Sequence, residues 1–329
     1  MATLLTPEQL ATVVKLMSVL FPYGAKCRDR MAKTNGRFVH YTSAEAALKI
    51  INSRGIWMRN TTCMSDYREL NHGLDALRRY FSIPGRKEAF DAAVDACDEG
   101  LAAEAISLFD KWWQTTQLET YITSISEHDD REDIHGRLSM WRAFGNATAR
   151  VAIVVKINMA IGGGATPGVE LSPVGYFTDA DLGREMDLVV SNVQQHQAFL
   201  AGLDRAVLLN CLFMMLTSTV VCLKHEGFHE EREWRAIYAP KRQPSEALES
   251  SIEVVFGVPQ RVYKIPFKND PAAGRTGLDP DELIDRIIIG PTQFPWAMYD
   301  AFVAALEGVG VKDAHNRVFV SQIPVRQMT

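Results

Sequence analysis

Glu231-Arg232-Glu233-Trp234-Arg235-Ala236-Ile237-Tyr238 runs two acids, two residues apart, straight into an alternating apolar segment. On a β-strand, side chains at i and i+2 share a face. Glu231, Glu233 and Arg235 are therefore expected on one side, with Tyr238 returning to it. Trp234 and Ala236 take the other side. Charges on so apolar a strand are costly to bury without a partner. The segment reads either as an ion-paired sheet edge or as the wall of a cleft.

The rest of the chain sets the context. Its 329 residues carry a net charge of −5, with 47% hydrophobic and 23% charged residues. That length and balance suit one elaborated globular domain or two smaller ones. A sequence pI near 5.9 argues against a surface that coats nucleic acid. Cys27, Cys63, Cys97, Cys211 and Cys222 are odd in number and show no Cys-x-x-Cys spacing, so they read as reduced thiols. The first residues lack a basic region followed by an apolar run, and a cytoplasmic location is expected. The apolar run Leu208–Val221 carries Asn210, Thr217, Ser218 and Thr219 and predicts a buried core helix rather than a membrane span.

Local signals divide the chain. Thr6-Pro7-Glu8-Gln9 opens a helix, with Thr6 as N-cap. Arg37–Tyr41 reads as a strand, and Thr42-Ser43-Ala44-Glu45 as a capping box launching a helix through Ile51. Strands are predicted over Ile56–Arg59, Tyr121–Ser126, Arg150–Ile157, Glu233–Tyr238, Ile252–Phe256, Arg261–Phe267, Arg286–Ile289 and Val318–Gln322. Helical segments are predicted from Asp66 to about Trp113, broken at Pro84-Gly85, over about Asp181–Leu223, and near Pro295–Leu306. No regular βαβ rhythm emerges, which favours an α+β fold. Residues 1–36 read as a helical extension and 37–329 as one domain, with helical insertions at about 66–118 and 181–223.

Four constellations could carry chemistry. His40-Tyr41-Thr42-Ser43 sits at a strand-to-helix junction whose free amides suit a phosphate; its bland alternative is a helix cap beside a packed histidine. Glu231 and Glu233 could stabilise an oxocarbenium-like centre, or simply pair with neighbouring arginines. His225-Glu226-Gly227-Phe228-His229 fits the His-Glu-x-x-His zinc pattern, but Gly227 and the nearby strand oppose the helix that zinc would need. Ser124-Ile125-Ser126 offers two hydroxyls on one face, and in Met140-Trp141-Arg142 the indole could stack on a ring and the guanidinium pair with a phosphate; the bland alternative is a core tryptophan and a surface arginine. Gly162-Gly163-Gly164 lacks the spacing of a dinucleotide loop.

Taken in order, these segments resemble a large, mostly bacterial domain-of-unknown-function family. The shared pattern is His40–Ser43, Gly55–Arg59, Ser65-Asp66-Tyr67-Arg68-Glu69 in place of an Asn-Asp-Pro-x-Glu turn, Ser124–Ser126, Met140–Gly145 with Phe144 for a tyrosine, Lys224–Arg235 and Ile287–Pro291. It spans about residues 37–323. That family in turn resembles the ADP-ribosyltransferase fold, which implies a split mixed β-sheet core. The resemblance implies NAD as substrate, no metal, and an unknown protein or nucleic-acid acceptor, as in a toxin or anti-phage effector. It implies Glu233 as the ribose-binding carboxylate, Glu231 as its helper toward the acceptor, and His40 as an NAD ligand, with Ser124 and Ser126 in support. Tyr41 and Trp141 would stack on the rings, Thr42 would sit at the capped helix, and Arg59 or Arg142 would hold the pyrophosphate. The alternatives are a non-catalytic nucleotide- or protein-binding module of the same fold and a zinc hydrolase at His225, Glu226 and His229.

Overall fold

The computed structural model of the chain describes residues 6–34, 36–63, 67–143, 149–159, 166–255 and 257–323. Ser65, Asp66, Phe144, Gly145, Gly162–Gly164 and Phe256, all named in the sequence reading, lie outside those residues. The strands are β1 (Arg37–Ser43), β2 (Gly55–Asn60), β3 (Tyr121–His128), β4 (Arg150–Lys156), β5 (Val169–Pro173), β6 (Gly175–Tyr176), β7 (Leu223–Lys224), β8 (Glu233–Tyr238), β9 (Glu249–Val255), β10 (Val258–Pro266), β11 (Ile284–Ile289) and β12 (Val318–Val320). The helices are α1 (Pro7–Leu20), α2 (Pro22–Lys33), α3 (Ala44–Asn52), α4 (Tyr67–Ser82), α5 (Arg86–Asp95), α6 (Leu101–Glu119), α7 (Leu138–Ala143), α8 (Asp179–Gln195), α9 (Gln197–Ala201), α10 (Arg205–Val221), α11 (Pro280–Leu283) and α12 (Pro295–Gly308).

Helix and strand are mixed around one ten-stranded sheet, in which β11 and β12 are parallel and the other described pairs antiparallel. The sheet forks at β3. One edge of β3 pairs with β8 from Tyr121 to Ser126. The other edge is shared: Tyr121 and Ile122 pair with β2, while Ser126–His128 pair with β1. Between these ladders the Thr123–Ile125 edge has no strand partner among the described residues. Two half-sheets, β12-β11-β4-β1 and the strands around β8 and β2, are thus joined by a short ladder.

Two cores follow from the alternation. Phe38, Ile125, Ile153, Trp234 and Ile287 pack beneath the sheet against α3 and α12, and Phe38 meets Trp234 edge-on at 5.5 Å between ring centres. Val39, Tyr41, Trp141 and Ile288 form the opposite face. Tyr238 lies with the even-numbered set, as a strict period of two requires. It packs on Tyr263 in a cluster with Met58 and Tyr121, so it is not on the charged side.

The two helical segments expected as insertions pack together. With α1 they surround one apolar core that includes Leu20, Leu77, Phe90, Met186 and Leu216. α10 is apolar nearly all round; Leu208, Leu212, Phe213, Leu216 and Val220 fill this core, Ala206, Val207 and Asn210 are exposed, and its end, Val221, reaches Ile122 and Ile237 of the sheet. Among the described residues no helix is long and apolar enough to cross a membrane. Thr6 caps α1 with a complete capping box. The second expected box shifts by one residue: Thr42 lies within β1, and Ser43, its last residue, caps α3 by accepting from the Ala46 N–H. Glu45 pairs instead with Lys49, one turn on.

Candidate functional site

The segment that leads into β8 is not a continuous strand. Glu226–Glu231 forms a 3-10 turn, and Arg232 adopts a left-handed conformation at φ 44° before β8 begins at Glu233. That break cancels the expected i, i+2 relation between Glu231 and Glu233. The two carboxylates are brought together by Lys224, whose ammonium lies 2.7 Å from Glu231 Oε2 and 3.5 Å from Glu233 Oε2.

Glu233 is buried, with 6% of its surface exposed. Its Oε1 accepts from the Ser124 hydroxyl at 2.5 Å and from Arg235 Nε at 2.8 Å. Oε2 has the longer contacts, to Arg235 Nη2 at 3.3 Å and to Lys224. Burial pushes the carboxyl pKa up, but the Arg235 charge and hydrogen bonds, with Lys224 and Ser124, outweigh it and bring it down to about 2. The backbone is held as well: Glu233 N–H donates to the Tyr176 hydroxyl at 2.8 Å, and Glu233 C=O accepts from Val174 N–H. Ser126, buried, is the cross-strand partner of Glu233.

His40 reaches the same neighbourhood from β1. Its Nδ1 lies 2.9 Å from the Ser124 carbonyl, on the stretch of β3 without a strand partner at the fork. A carbonyl only accepts, so Nδ1 carries the proton. Burial lowers the imidazole pKa against the opposing pull of that hydrogen bond, so the ring is neutral and Nε2 is the acceptor at neutral pH. The register puts Val39, Ser126 and Glu233 on one face, and His40 with Phe38 and Ile125 on the other. His40 and Glu233 therefore meet through Ser124 rather than across an open space. The backbone of Ser124 holds one and its side chain the other.

The remaining expected ligands are placed differently. Tyr41 is buried, stacks edge-on with Trp141 at 4.9 Å, and its hydroxyl accepts from Arg137 N–H at 2.8 Å. Trp141 is 1% exposed and donates its indole N–H to the His135 carbonyl. Gly290 lies so close that an added Cβ would stand 2.9 Å from the Trp141 ring. Both aromatic faces are thus used in packing. Thr42 is half-buried and pairs with Val151. Arg59 donates to the Gln260 side chain and the Cys63 carbonyl, far along the sheet from Glu233. Arg142 is exposed at the end of α7. At the zinc-like string, His225 Nδ1 accepts from Gly227 N–H and His229 Nδ1 faces the Glu226 carbonyl. The 3-10 turn denies the two imidazoles a common α-helical face, and among the described residues no three His, Cys, Asp or Glu side chains gather as a metal site.

No protein-family model, curated protein or solved structure matches the chain.

Arg235, one of the neighbouring arginines expected as an ion-pair partner, is the chief partner of Glu233. Two contributors carry no expectation from the sequence. Tyr176 carries no sequence signal, since β6 is two residues long. Arg137 clamps the rim, donating to the carbonyls of Glu127, Glu230 and Glu231 and to the Glu132 carboxylate.

Proposed function

We propose that the chain is an NAD-dependent ADP-ribosyltransferase whose carboxylate is Glu233. The observation that carries the reading is Ser124, which joins His40 and Glu233, residues far apart in sequence, at the fork of the sheet. The fork itself suits the split core that the resemblance to ADP-ribosyltransferases implies.

In this reading the nicotinamide–ribose C1′–N bond breaks and its electron pair leaves with nicotinamide. Positive charge grows on the ribose, and the ionised Glu233 opposes it. Arg235 and Ser124 fix Oε1, leaving Oε2, with its longer contacts, for a ribose hydroxyl. Lys224 keeps its shorter contact with Glu231 while that oxygen is engaged. The acceptor nucleophile then bonds C1′ and passes its proton to Glu231. Incubation with NAD labelled in the adenylate moiety, plus cell lysate, should label a protein or nucleic acid. Glu233→Gln should remove the label, and wild type without label transfer or nicotinamide release across many acceptors would refute the reading.

One observation favours a second reading, a non-catalytic binding module. Glu233 is buried and ion-paired to two cations, as a structural charge would be. That module binds its ligand without releasing nicotinamide.

A further inference from the structure

A cavity of about 490 Å³ opens beneath the fork, on the face opposite Glu233. Its wall includes Leu171 of β5, Ala236 of β8, Ile125 of β3, His40 of β1 and Ile153 of β4. Strand pairing makes these five strands consecutive. Four spacings of about 4.8 Å give a length of roughly 19 Å. The inner end, at Ile50, Ile153, Val155 and Leu283, is aliphatic.

The other end is cationic. Arg28 and Arg242 both line the cavity beside Glu170. Arg28 donates to the Leu171 carbonyl and Arg242 to the Asn210 side chain, while the Glu170 carboxylate accepts from the Ser218 hydroxyl at 2.6 Å. Among the described residues neither guanidinium has a carboxylate within 4.0 Å. Two cations against one carboxylate leave one positive charge in excess in an apolar channel. Burial lowers the pKa of both arginines, that of Arg242 to about 10, and raises that of Glu170, as expected for charges short of water and partners.

We propose that this cavity binds an amphipathic carboxylate, its anionic head between Arg28 and Arg242 and its alkyl chain running under the sheet toward Ile153 and Leu283. A channel of roughly 19 Å accepts an extended chain of about a dozen carbons. A largely apolar wall with two convergent cations at one end matches such a ligand, with His40 and Thr123 as polar groups on the wall between the ends. The site lies on the face of the sheet opposite Glu233 and shares His40 with the neighbourhood of the proposed reaction.

Dodecanoate, below its micelle concentration, is the probe, titrated into the full chain by calorimetry. One molecule should bind per chain. The double variant Arg28→Met/Arg242→Met should weaken binding by about ten-fold or more, and dodecan-1-ol should bind the wild type correspondingly weakly. Ile153→Trp, which fills the inner end, should also weaken dodecanoate, with circular dichroism confirming that each variant is folded. Absence of binding, many molecules per chain, or equal affinity in the double variant would overturn the proposal. So would displacement of dodecanoate by NAD, which would make the cavity part of the dinucleotide site.

Discussion

Glu233 is the place where stability and chemistry can be separated, and Glu233→Gln makes the cut. The substitution keeps the shape and removes the charge between Arg235 and Lys224, which are both 3% exposed. A carboxyl held at about 2 rather than at its ordinary 4.5 contributes about 3 kcal/mol to the ionised folded state. Removing one partner of a buried ion pair costs about 3–5 kcal/mol by a separate route. The two routes agree on about 3 kcal/mol, because Arg235 is left with the Val221 carbonyl but without the carboxylate that neutralises it. The sign with pH follows from the depressed pKa. The contribution is complete above about pH 4.5 and is lost as pH falls from there to about 2. Urea denaturation of wild type and variant should therefore differ by about 3 kcal/mol at pH 7 and by about 1 kcal/mol at pH 3. A difference under about 1 kcal/mol at pH 7, or one that widens as pH falls, would refute the ion-pair account.

Three further substitutions test the surrounding frame. Trp141→Ala, which empties the contact with Tyr41 and Gly290, should lower stability by about 3–5 kcal/mol in denaturant titration. Gly73→Ala puts a Cβ 2.2 Å from the Val220 carbonyl where α4 meets α10, and should cost about 1–3 kcal/mol, read as a lower melting temperature. Arg137→Ala frees the carbonyls of Glu230 and Glu231, and hydrogen exchange over residues 226–232 should speed up while the exchange of β4 is unchanged.

Much of the sheet was legible because its strands announce themselves locally. Glu233–Tyr238 was read with the bounds it has, and Arg150–Ile157 differs by one residue, since β-branched runs suit buried strands. β5 was missed: Val169-Glu170-Leu171-Ser172-Pro173 holds a proline and little apolar signal, and an edge strand beside β8 needs neither. The charged stripe was legible as residue types but not as geometry. A left-handed arginine at position 232 is a tertiary outcome, and it moved Glu231 off the strand. For Trp141 the sequence offers a core tryptophan or a stacking platform, and for Tyr41 the resemblance implies stacking; the closeness of Gly136 and Gly290 to the indole, invisible in sequence, commits both rings to the core. A split sheet is expected only from the resemblance; that the fork falls at β3 is not legible in any strand's own sequence, because it depends on which edge each strand offers.

If Ser124 and Glu233 form the reacting end of an NAD site, as proposed, the chain releases nicotinamide from NAD through Glu233. Wild type and Glu233→Gln would be incubated with NAD at a temperature where near-ultraviolet circular dichroism shows both folded, and free nicotinamide followed by chromatography. Wild type should release nicotinamide steadily and the variant about a hundred-fold or more slowly, a difference of about 2.7 kcal/mol in the barrier. Equal release by the two proteins, or none by either, would contradict the proposal.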